Sequence, residues 1–240
     1  SPLTDALLPP MPSPAHYDFA GWYVGSVAVT ADYVPTSNIT LTARWSPTAY
    51  TIAYELNGGT LPDTAPKSYT VKSSTITLPT PTRTGYIFAG WYTTADYSGD
   101  SVAEIAAGTT GDELLYAKWA RKINVTQENL ETVDISGYEV IVVDTTSYIS
   151  LKTLAEKLAQ ATNTITLDLS QTAWTVIDGD TSASNINYYT SYFANCTQLQ
   201  TVILPDTLRT IGQYAFKGCT KLETIAIPDR SEEHTSELQS

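Results

Sequence analysis

Apolar and polar residues alternate along most of this chain, and the alternation predicts a succession of short strands. Ile52, Tyr54 and Leu56 alternate with Thr51, Ala53 and Glu55, the two-residue period of a half-buried strand, and Asn57-Gly58 supplies the left-handed positions of a tight turn. The motif FAGWY stands at Phe19–Tyr23 and again at Phe88–Tyr92. Each copy is followed by a strand-like run that closes on tryptophan, ITLTARW at Ile39–Trp45 and ELLYAKW at Glu113–Trp119. Strand patterns return at Glu139–Val143 and at Ile165, Leu167 and Leu169. One stretch has the helical period instead. Leu151, Leu154, Ala155, Leu158 and Ala161 share one face behind a cap at Ser147 or Ser150.

The pattern repeats on two scales. The two FAGWY motifs are 69 residues apart and the closing tryptophans 74, so the second copy carries five extra residues between its landmarks. Gly90 lets the backbone bend or approach closely, and Phe88 and Trp91 flank it as anchors for a module with little core. The same aromatic pair would also serve as a sugar-stacking platform. The first copy has 20 residues before Gly21 against 40 from Tyr50 up to Gly90, so about half of its front part, opening strand included, is missing. Further on, Phe193-Ala194-Asn195-Cys196-Thr197-Gln198-Leu199 matches Phe216-Lys217-Gly218-Cys219-Thr220-Lys221-Leu222, and Pro205-Asp206 matches Pro228-Asp229, at intervals of 23 residues. Val202 and Leu204 recur as Ile225 and Ile227. A fixed period of this length with an apolar core pattern marks leucine-rich coils, and Ile165–Leu169 reads as an earlier coil lengthened by about a dozen residues through Asp178–Thr190.

Two resemblances follow. The pattern carried by Tyr50–Gly59, Pro79–Tyr92 and Tyr116–Trp119 resembles the Listeria–Bacteroides repeat, the internalin B-type repeat of bacterial surface proteins. This implies a β-grasp-like module used in tandem as a spacer or contact unit on the cell surface. The first copy departs from it at His16-Tyr17-Asp18, where the second has Gly85-Tyr86-Ile87 and the turn glycine is lost. The 23-residue unit resembles the BspA-type leucine-rich repeats of bacterial surface proteins. That family implies extracellular exposure and adhesion to host matrix proteins or to other bacteria. In such a solenoid Leu199, Val202, Leu204 and Phe216 point inward, while Thr201, Ile203, Thr224 and Ala226 lie on the exposed strand face. That face is the candidate partner surface, the alternative being a merely solvated sheet face.

Composition narrows the classes. A formal charge of −12, from 13 Lys+Arg against 25 Asp+Glu, offers no basic stripe for nucleic acid. No apolar run approaches the roughly 18 residues of a membrane span. The 16 Tyr and 5 Trp against 4 Phe suit sheet faces with one side packed and polar tips in water. Candidate chemistry is sparse. His16 sits beside Pro14 and Tyr17 and reads as a turn residue. Asp178-Gly179-Asp180 with Ser182 opens like a calcium loop, but Tyr189 stands where the bidentate Glu belongs. Cys196 and Cys219, at equivalent positions of adjacent coils, read as free buried thiols; no C-x-x-C and no nearby histidine suggests a metal. We therefore expect no catalytic, cofactor or metal site and no enzyme.

The start at Ser1 and the run Arg230–Ser240, RSEEHTSELQS, point to a fragment. The tail resembles the in-frame translation of a sequencing adapter and is set aside as non-native. It carries Arg230 against Glu232, Glu233 and Glu237, which leaves −10 for the rest. The expected organisation is an α+β multidomain chain, β-grasp-like surface repeats followed by a short leucine-rich solenoid: a truncated repeat at 1–45, a complete repeat at 50–120, a connector with strand and helix at 121–163, and the first coils at 164–229. The expected role is binding or adhesion at the bacterial surface or in secreted form, with a host matrix protein or another surface protein as partner. A structural spacer and an accessory region of a surface hydrolase are the alternatives.

Overall fold

The computed structural model describes residues 13–30, 32–144, 149–177, 192–212 and 214–227. The Asp178–Tyr189 loop, Ser147, Pro228-Asp229 and the tail lie outside them. The fold is mostly sheet, with one helix among the described residues, as expected of β-rich repeat modules. The chain divides into two units, Ser1–Thr82 with Ala89–Lys118, and Arg83–Phe88 with Trp119–Ser240.

The first unit holds the first copy of the aromatic repeat and most of the second, whose residues 83–88 and Trp119 fall in the other unit. Strands β1 (Tyr17–Val24), β2 (Val27–Ala28) and β3 (Thr42–Pro47) form an antiparallel sheet in the order β2-β1-β3. Its register shifts between Phe19 and Gly21, and Gly21 adopts φ +119° there, a backbone state open essentially to glycine. The second copy contributes β4 (Tyr50–Glu55), β5 (Ser68–Tyr69), β6 (Ile76–Thr77), β7 (Tyr86–Tyr92), β8 (Glu104–Ile105) and β9 (Glu113–Val125). β4 pairs antiparallel with β5 and parallel with the start of β9, β6 pairs with β8, and β7 pairs with β9. Ile52, Leu78, Trp91, Ile105 and Leu115 form the buried interior. The Trp91 indole Nε1 donates to the Pro79 carbonyl at 2.8 Å, which satisfies its polar edge without exposing the ring. Gly90, at φ +116°, is held so close that a Cβ would come within 2.9 Å of Ser101 Cβ.

The second unit is built on parallel strands. The end of β9 pairs with β10 (Val140–Val143); after helix α1 (Leu151–Ala159), β10 pairs with β11 (Ile165–Asp168). Beyond β12 (Val176–Ile177), β11 pairs with β13 (Leu199–Ile203), and beyond β14 (Thr210–Ile211), β13 pairs with β15 (Thr224–Ala226). β12 and β14 form a second parallel pair. The register aligns Ile123, Ile141, Leu167, Val202 and Ile225 in one column, fully buried at Ile141, Leu167 and Val202 and open at Ile225, which is 38% exposed. Segment 121–163, expected as a connector, is thus part of the same ladder. Its helix belongs to the same core: Leu154, Ala155 and Leu158 are buried with Leu167, Leu199 and Val202. Ser150 is the cap, its Oγ accepting from the Thr153 N–H at 3.2 Å.

Candidate partner-contact face

The four residues singled out by the repeat pattern share one side of the parallel ladder. Thr201 pairs with Thr224, and Ile203 with Ala226. Their inward neighbours Leu199, Val202 and Leu204 are buried, which turns the alternate residues outward. Thr201 and Ile203 are half-buried, Thr224 and Ala226 exposed. The columns continue to Thr166 and Asp168 on β11, opposite Thr201 and Ile203, and these two were not singled out from the sequence. Their signal was present in the strict alternation of Ile165, Leu167 and Leu169. The face therefore presents a threonine column, Thr166-Thr201-Thr224, beside Asp168, Ile203 and Ala226. Such a surface offers hydroxyls and methyl groups on paired parallel strands, with one carboxylate at its β11 end.

Equivalent side chains of adjacent coils fasten this support at its flank. Gln200 Nε2 donates to Glu223 Oε2 at 3.0 Å, and Lys221 Nζ donates to Gln198 Oε1 at 2.7 Å. Phe193 and Phe216 stack in parallel, centroids 5.7 Å apart and planes 6° from coplanar. Asn195 and Gly218, again 23 residues apart, both take a left-handed φ, +61° and +79°. Asparagine tolerates that conformation better than most side chains, so the coil turn is kept although the glycine is not.

Both cysteines are free and buried. The Cys219 thiol donates to the Phe193 carbonyl at 3.0 Å, and Cys196 Sγ lies 3.9 Å from the Ala155 carbonyl. Burial, and to a lesser extent the neighbouring Cys219, pushes the Cys196 thiol up to about 12; burial also raises Cys219. A thiol whose pKa is raised by folding favours the native state below its unfolded pKa, and that contribution fades as pH rises through the folded value. At pH 8 we expect native Cys196 to react with a disulfide reagent at least about a hundredfold more slowly than the chain in urea. Equal rates would show that the thiol is accessible.

Elsewhere the candidate chemistry resolves into structure. His16 holds φ +66° where the second copy has Gly85 at φ +77°, so the turn is retained without its glycine, and His16 Nδ1 lies 2.8 Å from the Tyr50 hydroxyl. Trp91, offered as half of a sugar platform, is only 1% exposed and presents no ring face. Among the described residues no group of three His, Cys, Asp or Glu could hold a metal ion, and no helix is long and apolar enough to cross a membrane.

The family comparisons agree with this geometry. The chain carries two classes of repeat: Listeria-Bacteroides repeat domains at residues 3–44 and 50–118, and a match at residues 171–238 to the BspA type leucine rich repeat region. Among curated relatives, a protein provisionally named a membrane protein of Evansella cellulosilytica is 35% identical over 46% of this chain and 17% of its own length. A second from that organism, provisionally named a Gly-rich membrane protein, is 36% identical over 53% of the chain and 14% of its length. Internalin H of Listeria monocytogenes is 28% identical over 54% of the chain and 24% of its length. The chain thus spans less than a quarter of each relative. No solved structure matches it significantly.

Proposed function

We propose that this chain is part of a bacterial cell-surface adhesin in which β-grasp-like Listeria–Bacteroides repeats serve as a stalk and a leucine-rich solenoid binds protein. The observation that carries the reading is the two-column face of β11, β13 and β15, an array of Thr166, Thr201 and Thr224 beside Ile203 and Ala226. Repeats stacked in register give extended surfaces suited to protein partners. Relatives named as membrane proteins and an internalin support an envelope location. The partner in this reading is a host matrix protein or another surface protein, and the chain itself performs no catalysis.

The test is binding of the purified chain to immobilised extracellular matrix proteins, mucin and whole epithelial cells. Saturable binding to at least one of them is expected. Failure to saturate on all of them would favour a purely structural spacer. Turnover of a glycan or peptide substrate that disappears on changing a single acidic residue would overturn the non-catalytic reading.

A further inference from the structure

The tyrosine that ends FAGWY has a cation over its ring in both copies of the aromatic repeat. The Arg44 guanidinium lies 4.1 Å from the Tyr23 ring centre, and the Lys118 ammonium 5.0 Å from that of Tyr92. These are equivalent places in the two copies: Tyr23 and Tyr92 close the motif, and Arg44 and Lys118 each stand directly before the closing tryptophan. Beyond the ring the two cations differ. Arg44 Nη2 donates to the Gly25 carbonyl at 3.1 Å, which ties that charge to a turn of its own repeat. Among the described residues no carbonyl or carboxylate takes up the Lys118 ammonium.

The second copy adds a further ring at this place. Tyr97, in the longer link between Tyr92 and Lys118, meets Tyr92 edge-on with centroids 5.6 Å apart, and Lys118 Nζ lies 5.7 Å from its centre. Asn57, in the turn after β4, donates through Nδ2 to the Tyr97 hydroxyl and to the Ala117 carbonyl, each at 3.0 Å. The Tyr97 oxygen accepts in that bond, so its own proton is left to donate elsewhere. Tyr97 holds φ +58°, a left-handed state uncommon for a bulky residue and of the kind that gathers at binding sites. Asp96 of the same loop is engaged by the Ser98 N–H at 3.1 Å. Tyr92, Tyr97 and Lys118 are half-buried and Asn57 is exposed, so the group is open to solvent.

We propose that Asn57, Tyr92, Tyr97 and Lys118 bind an acidic sugar, a pyranose bearing a carboxylate within an otherwise neutral stretch of polysaccharide. The ammonium pairs with the carboxylate. The tyrosine rings offer apolar walls to the C–H face of the pyranose, while the Tyr97 hydroxyl proton and Asn57 Oδ1 meet its hydroxyls. One cation on a chain of formal charge −12 suits a ligand with isolated charges, since a densely charged polyanion is repelled by the rest of the molecule. The second repeat then holds a ligand as well as spacing the solenoid. The first repeat, with one ring and its arginine tied down, does not.

The experiment titrates a hyaluronan tetrasaccharide and a xylotriose bearing one glucuronate branch into the full chain, followed by calorimetry. Saturable binding of at least one is expected, with its neutral counterpart, chitotetraose or unbranched xylotriose, at least about tenfold weaker. Lys118→Gln should weaken binding at least about tenfold, or roughly 1.4 kcal/mol. Tyr97→Gly should do the same; glycine accepts the left-handed φ, so the loop keeps its path while the ring is lost. Arg44→Gln, at the equivalent place in the first copy, should leave binding unchanged. Absence of saturable binding to both acidic sugars, or equal binding of the neutral ones, would overturn the proposal. So would undiminished binding by either second-copy variant, or a loss in Arg44→Gln as large as in Lys118→Gln.

Discussion

Replacing Phe193 by alanine should lower the stability of the second unit by about 3–5 kcal/mol, the cost of emptying a fully buried aromatic site. Phe193 is 0% exposed and stacks on Phe216 of the next coil. Its carbonyl also accepts from the Cys219 thiol and from the Cys196 N–H, the latter at 3.2 Å. The void would therefore open beside the bonds that set the spacing of the coils. Phe216→Ala should cost less, because Phe216 is half-buried. Urea unfolding followed by amide exchange over β11 and β13 distinguishes the two. Equal losses for both variants would show that the stack, rather than burial, carries the energy.

Trp91→Ala should cost the first unit a similar amount, about 3–5 kcal/mol. Its indole fills the centre of the second repeat against Tyr54 and binds the Pro79 carbonyl. Trp91→Phe separates the two contributions. It keeps most of the apolar volume but leaves that carbonyl without its donor, at a cost of about 1–3 kcal/mol. The same change in the first copy, Trp22→Ala, should cost distinctly less, since that indole is only half-buried. Chemical denaturation of the three variants reads the order directly; a Trp22→Ala loss equal to that of Trp91→Ala would contradict the difference in packing between the copies.

Much of this architecture was legible in the residues. FAGWY with its closing tryptophan, the helical stripe from Leu151 to Leu158 and the 23-residue register of Phe193 and Phe216 each carry a local period that survives without tertiary context. The extent of the ladder was not legible. Val140–Val143 reads VIVV and is buried on both sides, so it lacks the alternation that distinguishes a core face from a wet one, as befits an inner parallel strand. β9 serves three neighbours, β4 along Glu113–Tyr116, β10 along Lys122–Val125, and β7 as well. The charged pair Arg121-Lys122 in its middle imitates a boundary.

The face was visible only in part for a related reason. Residues of β13 and β15 pair at a spacing of 23, but Thr166 pairs with Thr201 at 35, after a register shift at Ile165. The inserted residues break the period by which Thr201 and Thr224 were found, and Thr166 and Asp168 fall outside it. Position within a ladder is a long-range property, and sequence spacing reports it only where the coils are of equal length.

In the proposed function, this two-column face is where the protein meets its partner. The most direct measurement compares binding of the unaltered chain and of a Thr201→Arg/Thr224→Arg double variant to the same immobilised matrix proteins, mucin and cells. Arg209→Glu, off this face and beside β14, is the control. Both changes place large charged groups on exposed or half-buried positions, and retained far-UV circular dichroism would show that the fold persists. At least about a tenfold loss of affinity is expected for the double variant and little change for the control. Undiminished binding by a folded double variant would contradict it.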